Sequence, residues 1–544
     1  MYAEQKEQLV CGRFVDHTRG TVGFDNDDQP TEGEGQPRSS PLEHVPEHQT
    51  TTELATSGLD SIPPELLGLI FEHTAGAAAV LNCELIRITH VCRYWRDVAL
   101  HSPALWSHIA LMHPAAVEVF LARSQTLPLR ISVDMKAKRG SKTSKGMRIQ
   151  ALQVLLGQAA CGRILSLKIN DLPGSDDFNW VMQDIARAAL QLERLSIERC
   201  FSDVVIIPSA DPAYFDGLPK LQSLTLSGET PPWFRKTPNA LTTIYLEWPL
   251  CNVPTVVRLL ERSPSLEHLT IRGFFGEDAE RGTGKVTLAH LKTLRLQGLS
   301  SLVTAALLSN LILPSEHTNI SLCDPKSWGP SFAALIPTHN MFNGLPFSAL
   351  QGLKHVQLTW KNGLRTLRAY RSSELAHSAA PALQVHTAMS IDLAEGFLIN
   401  WPIDASHVET VDIYGDTVDL PEVLEQAWVW ATMLSAVPAM RTLRVRAVTE
   451  STLQAILSAL QSPGADTMAC PQLETLVLVQ VSLVGQSWNA LAGTARLRGP
   501  LVGAGGCLAK IVVERPVTEP PTSDDQVLRL NKMTGVEMIL TESQ

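Results

Sequence analysis

A spaced apolar pattern, L-x-x-L-x-L, recurs between residues 160 and 515 and constrains the fold more than any other feature of this chain. One copy means little, because any amphipathic strand can produce it, but about eleven copies in order are difficult to attribute to chance. Each copy alternates apolar and other residues and therefore predicts a strand with one buried face. The copies begin at Ile164, Leu192, Leu221, Leu241, Leu266, Leu291, Leu353, Val408, Met440, Leu473 and Leu508.

The segments between these predicted strands show helical periodicity, most clearly at 179–190, 253–262 and 451–460. A strand–turn–helix unit leaves its apolar faces half exposed, and stacking of neighbouring units buries them. Spacings of roughly 20 to 35 residues, with Cys200 ending the second copy, fit leucine-rich repeats. The predicted fold class is therefore α/β, with an irregular leucine-rich-repeat solenoid that has parallel strands on its concave face and helices outside.

The repeat weakens between about 298 and 405. Ile320 with Leu322, and Leu383 with Val385, are interpreted as degenerate copies, and Lys326–Phe347 as an insertion loop. After residue 516 the chain becomes rich in Pro and Thr and then ends near a short apolar segment at 536–540. This end is predicted to pack back on the array or to form a cap.

A helical module precedes the repeats. Pro63 and Pro64 fit the start of a helix, where a missing N–H costs little. The following apolar residues recur at three- and four-residue intervals, and a second helical stretch is predicted to carry an apolar face made of Ile88, Val91, Cys92, Trp95, Val98 and Ala99. A module of about 50 residues has too little interior for all these side chains. Part of its apolar surface is therefore expected to contact another chain or the domain that follows.

This module resembles an F-box, by which substrate receptors bind the Skp-type adaptor of a cullin ubiquitin ligase. The resemblance rests on Ile62-Pro63 with Glu65-Leu66-Leu67, on Ile70-Phe71, on Val91-Cys92 with Trp95, and on Leu105-Trp106, in this order. Leu105-Trp106 is expected to close the module against the following domain. The adaptor-binding residues that the resemblance implies are Ile62, Pro63, Leu66, Ile70, Leu85, Val91 and Trp95.

An F-box followed by a long irregular solenoid resembles the F-box proteins of mushroom-forming fungi, and the stretch 215–233 carries this likeness as well. The resemblance implies the substrate-recognition subunit of an SCF-type (Skp–cullin–F-box) E3 ubiquitin ligase. The F-box would bind the adaptor and, through it, a cullin, while the solenoid would bind an unknown protein target. Such a receptor forms no bonds itself and contributes proximity. The alternative is an interaction scaffold that assembles no ligase.

Four regions are predicted from these patterns. Residues 1–55 are acidic and polar, with few large apolar side chains, and are predicted to be a disordered tail. Residues 56–110 form the F-box, 111–515 the solenoid, and 516–544 a C-terminal tail or cap.

Composition narrows the function classes. The net charge of −10 over 544 residues disfavours a broad nucleic-acid-binding surface. Nine cysteines without a C-x-x-C pair indicate reduced thiols and a cytoplasmic or nuclear location. The basic segment Lys136–Arg148 fits either a solvated loop or a nuclear-localisation or phosphate-contacting patch. No secretory pattern and no apolar window of transmembrane length is visible, so no membrane association is predicted.

The sequence segments that partly match catalytic motifs each lack residues that the motif requires. Gly282-Thr-Gly284-Lys285 lacks both the first glycine and the Ser/Thr of a phosphate loop, and the segment 485–489 lacks the closing glycine of a nucleophile elbow. His44 and His48 have no further metal-ligand types nearby in a suitable arrangement. We therefore predict a non-catalytic protein without cofactor or metal, although a site assembled from distant residues stays open.

Two sets of residues near the repeat strands have alternative interpretations. The first could line a recognition surface or fill strand-to-helix turns, and consists of Trp233, Trp248 and Trp360. The second could meet a phosphate or an acidic peptide, or simply be solvated, and consists of Arg272, Arg295, Arg444 and Arg446.

Overall fold

The computed structural model divides the chain into two units, Met1–Ser61 and Ile62–Gln544. The predicted tail 1–55 lies outside the described residues. The described residues are 62–76, 81–110, 113–135, 145–157, 161–172, 175–199, 218–228, 240–247, 252–273, 285–314, 318–324, 350, 352–361, 364–372, 380–388, 405–415, 422–461, 469–483, 485–501, 507–515 and 524–542.

Helices begin at the predicted module and recur through the second unit. They are α1 (Pro64–Gly76), α2 (Leu81–Ile88), α3 (Arg93–Leu100), α4 (Pro114–Arg123), α5 (Lys145–Gly157), α6 (Ser175–Ala188), α7 (Val253–Glu261), α8 (Ser301–Ser309), α9 (Ala427–Ser435), α10 (Glu450–Gln461), α11 (Gln486–Arg498) and α12 (Asp524–Thr534). Short 3₁₀ helices occupy Pro103–Trp106, Cys161–Arg163, Ala405–His407 and Glu422–Glu425.

Strands follow the module and alternate with most of these helices. They are β1 (His108–Ala110), β2 (Leu129–Asp134), β3 (Ile164–Leu172), β4 (Arg194–Arg199), β5 (Ser223–Ser227), β6 (Thr243–Glu247), β7 (His268–Arg272), β8 (Val286–Thr287), β9 (Thr293–Gln297), β10 (Leu311–Ile312), β11 (Asn319–Asp324), β12 (His355–Lys361), β13 (Leu364–Tyr370), β14 (Leu383–Ala388), β15 (Thr410–Gly415), β16 (Thr442–Arg446), β17 (Thr475–Val479), β18 (Lys510–Arg515) and β19 (Glu537–Glu542).

One sheet of 17 strands contains every described strand except β8 and β10, which form a separate pair. Hydrogen-bonded neighbours follow chain order from β1 to β7, continue through β9 and β11 to β14, β13 and β12, and then run from β15 to β19. All these pairs are parallel except those of β13, which is antiparallel to β12 and β14. The predicted α/β class, with an amino-terminal helical region and a large parallel sheet, is confirmed.

Alternation within each strand places the repeated apolar residues in the core. In β7, Leu269 and Ile271 are buried, whereas His268 and Arg272 are exposed. The helix before it, α7, is capped by Asn252, whose side-chain oxygen accepts a hydrogen bond from Thr255 N at 3.1 Å. Its apolar residues pack into the same core cluster as the strands. The strand and helix of each unit therefore bury their apolar faces together.

Several sequence-based predictions need correction. The second helical stretch of the module is two helices, because Cys92 ends the turn after α2 and caps α3, its Sγ accepting a hydrogen bond from Trp95 N at 3.4 Å. Strand β13 was not predicted. Helix α5 begins at Lys145, inside the segment expected to be a loop. By contrast, the end of the chain agrees with the expectation that it packs back on the array, since it contains α12 and β19, and β19 pairs with β18.

Of the three tryptophans with alternative interpretations, Trp360 lies among the described residues. Trp360 is buried and packs edge to face on Trp430, with the ring centroids 6.3 Å apart. It is a core residue and cannot line a recognition surface. Trp233, Trp248 and the predicted insertion Lys326–Phe347 lie outside the described residues.

Candidate functional site

Helix α1 carries apolar residues on two faces. Leu67 and Phe71 point into the core and are almost fully buried. Leu66, Leu69 and Ile70 also lie three and four residues apart, but they are 53%, 60% and 47% exposed. The helix begins directly after Pro63, whose carbonyl oxygen accepts a hydrogen bond from Leu67 N at 3.0 Å. This helix therefore presents a second apolar face that the other described residues leave exposed.

The turn between α2 and α3 adds to the exposed apolar surface. Val91 is 57% exposed in this turn, and Ile86 on α2 is 41% exposed. The turn has a fixed shape, because Arg96 Nε donates a hydrogen bond to Thr89 O at 2.8 Å and Cys92 caps α3. Its apolar side chains are thus presented on a defined backbone.

The helices α1 and α3 are held to each other by packing and by one long-range hydrogen bond. The rings of Phe71 and Trp95 lie 5.1 Å apart in a tilted arrangement. Tyr94 Oη donates a hydrogen bond to Ile62 O at 2.6 Å, which fixes the residue that precedes Pro63. The start of α1 is therefore tied to α3.

Trp106 joins this module to the array of strands. Its Nε1 donates a hydrogen bond to Ala99 O at 2.8 Å, at the end of α3. Its ring packs edge to face on Phe120 of α4, with 4.9 Å between the centroids, and the Arg123 guanidinium lies 4.3 Å from its ring centroid. Strand β1 follows at once and pairs with β2. Trp106 therefore packs the end of the module against the helix that follows it.

The residues that the sequence assigned to adaptor binding fall into three groups. Exposed residues are Pro63, Leu66, Ile70 and Val91. Half-buried residues are Ile62 and Trp95, both packed against the core. Leu85 is only 1% exposed, so its assignment as a contact residue is wrong: on α2 it turns to the core and its neighbour Ile86 turns to solvent. The other six assignments stay predictions.

Leu69 and Ile86 are the exposed apolar residues that the sequence-based assignment missed. Leu69 follows Leu66 by three residues, and that spacing alone could have identified it. Ile86 gave no such signal, because it stands beside Leu85 and nothing in the sequence shows which of the two faces the core.

The electrostatics beside the module favour a neutral imidazole. His108 on β1 is half-buried, and burial, followed by the nearby positive charge of Arg130, lowers its pKa below the usual value. Arg130 Nη1 lies 3.4 Å from His108 Nε2. Glu72 of α1 acts in the opposite direction. His108 is therefore expected to be uncharged at neutral pH.

Within the described ranges, no group of three or more His, Cys, Asp or Glu side chains is arranged to hold a metal ion. No helix of that same part of the chain has both the length and the apolar character to cross a bilayer.

Comparison with known proteins identifies the module. Residues 59–112 match the family described as F-box-like, so the chain carries an F-box-like domain there. No curated protein matched the sequence. A crystal structure of the Rad7 and Elc1 complex from yeast is 12% identical, covers 78% of this chain and 91% of that chain, and has a TM-score of 0.27. A Bacteroides fragilis protein structure is 10% identical, with 72% and 68% covered and a TM-score of 0.19. Both TM-scores are too low to support an argument about fold or partner.

Proposed function

We propose that this chain is the substrate-recognition subunit of an SCF-type E3 ubiquitin ligase. In this proposal the F-box-like domain binds a Skp-type adaptor, the adaptor connects to a cullin, and the array of strands and helices binds the protein target. The observation that carries the proposal is the exposed apolar face of α1, with Leu66, Leu69 and Ile70, together with Val91. These residues lie within the segment that matches the F-box-like family.

The exposed face fits a binding role on physical grounds. A large apolar side chain that moves from water into an interface contributes about 1.5–3 kcal/mol to binding. Contiguous apolar surface on a folded protein is typical of interaction sites. The helix that carries this surface is held by Tyr94, Phe71 and Trp95, so little ordering is required when a partner binds.

The target-binding part is proposed to be a leucine-rich-repeat solenoid. Its support is the coincidence of the L-x-x-L-x-L copies with parallel strands in register, as in the pairing of Leu269 with Leu294. The likeness to F-box proteins of mushroom-forming fungi and the cytoplasmic or nuclear location belong to the same proposal. The receptor itself catalyses no step and raises the local concentration of the target at the ligase.

A pull-down with purified Skp-type adaptor tests the proposal. We expect the double variant Pro63→Ala/Leu66→Ala to bind the adaptor about thirtyfold more weakly, which corresponds to roughly 2 kcal/mol for the loss of a central apolar contact. Leu302→Ala is the matched control, because Leu302 is 67% exposed on α8, outside the F-box-like domain. Unchanged adaptor binding by the folded double variant would contradict the adaptor-binding role.

Addition of a cullin distinguishes the two functions that the sequence allows. A ligase subunit recovers adaptor and cullin together, and the double variant loses both. A scaffold that assembles no ligase recovers the adaptor alone. Circular dichroism of each variant shows whether a loss of binding reflects a loss of fold.

A further inference from the structure

On the side of the sheet opposite the apolar core, side chains are aligned by the strand register. We call this side the open face; it consists of the strand residues that alternate with the buried apolar ones. Along its middle runs what we call the central row, in which each residue pairs with the next across neighbouring strands. The central row consists of Arg295, Ser321, Gln384, Arg368, Gln357, Asp412 and Arg444.

Two ion pairs lie on the open face in its amino-terminal part. Lys168 Nζ lies 3.0 Å from Glu198 Oε1 across β3 and β4. Arg272 Nη1 lies 3.1 Å from Glu247 Oε1 across β7 and β6. These arginine and lysine charges are balanced by neighbouring carboxylates. Glu247 already neutralises part of the charge of Arg272, so Arg272 attracts an anionic ligand less strongly than an unpaired arginine does.

The middle of the open face carries unbalanced positive charge. Arg295 on β9 and Arg446 on β16 are exposed, and Arg368 on β13 is half-buried. None of these three has an ion-pair partner in the part of the chain that the structure describes. Lys361, exposed at the end of β12, adds a further positive charge to the same face. This region would attract carboxylate or phosphate groups.

Asp412 is the acidic member of the central row, and it holds Arg444 in place. Its Oδ2 lies 3.6 Å from Arg444 Nη1 and 3.3 Å from His355 Nε2. Asp412 and His355 are both buried, whereas the Arg444 side chain keeps 32% of its surface accessible. Asp412 Oδ1 has no hydrogen-bond partner among the described residues. Asp412 is therefore a positioning residue that restricts the guanidinium of Arg444.

The histidine beside Arg368 does not add charge. His386 forms a hydrogen bond with Thr366 Oγ1 at 2.9 Å through its Nδ1 and contacts the Gln384 side chain. Burial, followed by the positive charge of Arg368, lowers the pKa of His386. The imidazole is thus expected to be neutral at pH 7, and the positive charge of this region comes from arginine and lysine, which do not titrate near neutral pH.

We propose that the open face binds an extended acidic segment of the protein target through Arg295, Arg368, Arg444 and Arg446. This inference rests on the proposed function, since it names the chemistry of the segment that the array would recognise. Along the central row, Arg295 and Arg368 are three strands apart, and so are Arg368 and Arg444. Three strand spacings amount to about 14 Å, which four residues of extended chain also span. Acidic residues at every fourth position of the peptide would therefore lie opposite successive arginines of the central row. Gln357 and Gln384 lie between these arginines and would form hydrogen bonds with the peptide backbone.

Fluorescence anisotropy with the full chain and a labelled peptide tests this inference. The probe is an extended Gly/Ser/Thr peptide with Glu at every fourth position, and the negative control has Gln at the same positions. We expect the Glu peptide to bind and the Gln peptide not to bind. The affinity for the Glu peptide should fall as the salt concentration rises. Each of Arg295→Gln, Arg368→Gln and Arg444→Gln is expected to weaken binding about threefold to tenfold, whereas Arg→Lys at the same sites retains most of it.

Arg272→Gln is the matched control, because Arg272 lies on the same face but is already paired with Glu247. Equal loss in this control and in the three test variants would overturn the inference, as would equal binding of the Glu and Gln peptides. Binding of a single-stranded oligonucleotide in place of the Glu peptide would overturn it as well. A phosphoserine peptide of the same spacing identifies which anionic group is preferred, and tighter binding of either peptide supports the proposal.

Failure of this inference can be separated from failure of the proposed function. The peptide assay contains no adaptor, and the adaptor pull-down does not involve the open face. If the arginine variants bind the adaptor normally but no acidic peptide binds the wild type, only the ligand class is wrong. If the peptide binds but the adaptor does not, the ligase assignment is wrong and the anion-binding face stands.

Discussion

Helices α1 and α10 differ in what they do with their apolar residues, although they have 13 and 12 residues respectively. In α10 the large apolar side chains are all buried, at Leu453, Ile456, Leu457 and Leu460. In α1, Leu67 and Phe71 are buried, whereas the other large apolar residues face solvent. A helix of the array thus uses its apolar residues for its own folding. The F-box-like helix carries more of them than its fold requires, and this surplus is what a second chain would cover.

The largest effect on stability is expected at Trp106, where the F-box-like helices contact the array. Trp106→Ala removes an indole buried between α3 and α4 together with its hydrogen bond to Ala99 O. We expect the free energy of unfolding to fall by about 3–5 kcal/mol. Chemical denaturation followed by circular dichroism measures this effect. The change should also weaken adaptor binding, because α3 loses its support against the array.

Trp428→Ala provides the comparison for that variant, because Trp428 is about half exposed on α9. Its unfolding midpoint should stay close to that of the wild type. Equal destabilisation by the two substitutions would show that burial does not explain the importance of Trp106.

A smaller but still large effect is expected inside the array, at a buried charge. Arg498 on α11 is almost fully buried, and Nε donates to Leu460 O at 2.7 Å while Nη1 donates to Cys470 O at 2.9 Å. Its Nη2 also donates to Ala469 O. Arg498→Met would leave Leu460 O and Ala469 O without donors, whereas Cys470 O would keep its hydrogen bond from Leu473 N. We expect the free energy of unfolding to fall by about 2 kcal/mol or more, from roughly 1 kcal/mol or more for each of the two unsatisfied groups.

Arg496→Met is the control for this substitution, since Arg496 lies two residues earlier on α11 and is exposed. Thermal melts of the two variants should differ clearly, with the Arg496 variant near the wild type. Similar melting temperatures of both variants would mean that water replaces the guanidinium at the carbonyl groups of Leu460, Ala469 and Cys470. The buried hydrogen bonds of Arg498 would then not be needed for the stability of the array.

The repeated alternation of apolar residues predicted most strands of the sheet, but alternation by itself does not determine the direction of a strand. Burial of every second side chain is the same whether a strand runs parallel or antiparallel to its neighbour. Strand β13 shows this limit: Leu367 and Ala369 are buried in alternation, yet the strand runs antiparallel. The signal that could have revealed it is the Asn-Gly pair at 362–363, which separates β12 from β13 in the sequence and is typical of a hairpin.

The same limit explains what was missed on the open face. Arg295, Arg444 and Arg446 were found because they stand in repeat copies, whereas Arg368 stands in β13, outside the repeat. Whether Arg272 is free or paired depends on Glu247, which is distant in sequence and adjacent in the sheet. Lateral neighbours of this kind follow from strand order, which the sequence pattern alone does not contain.

The smallest effect on stability is expected at the exposed apolar residue Ile86 on α2, and its buried neighbour Leu85 provides the comparison. Ile86→Ala truncates a side chain that already faces solvent, so we expect the free energy of unfolding to change by less than about 0.5 kcal/mol. Leu85→Ala, one residue earlier, creates a cavity in the core and should lower it by about 2–5 kcal/mol. Parallel denaturation curves of the two variants give the difference directly. If both variants were equally destabilised, Ile86 would contribute to folding as Leu85 does. The F-box-like helices would then have fewer apolar residues free for a partner than the exposure of Ile86 suggests. If only Leu85→Ala is destabilised while Ile86→Ala weakens adaptor binding, adjacent residues of one helix serve folding and recognition separately.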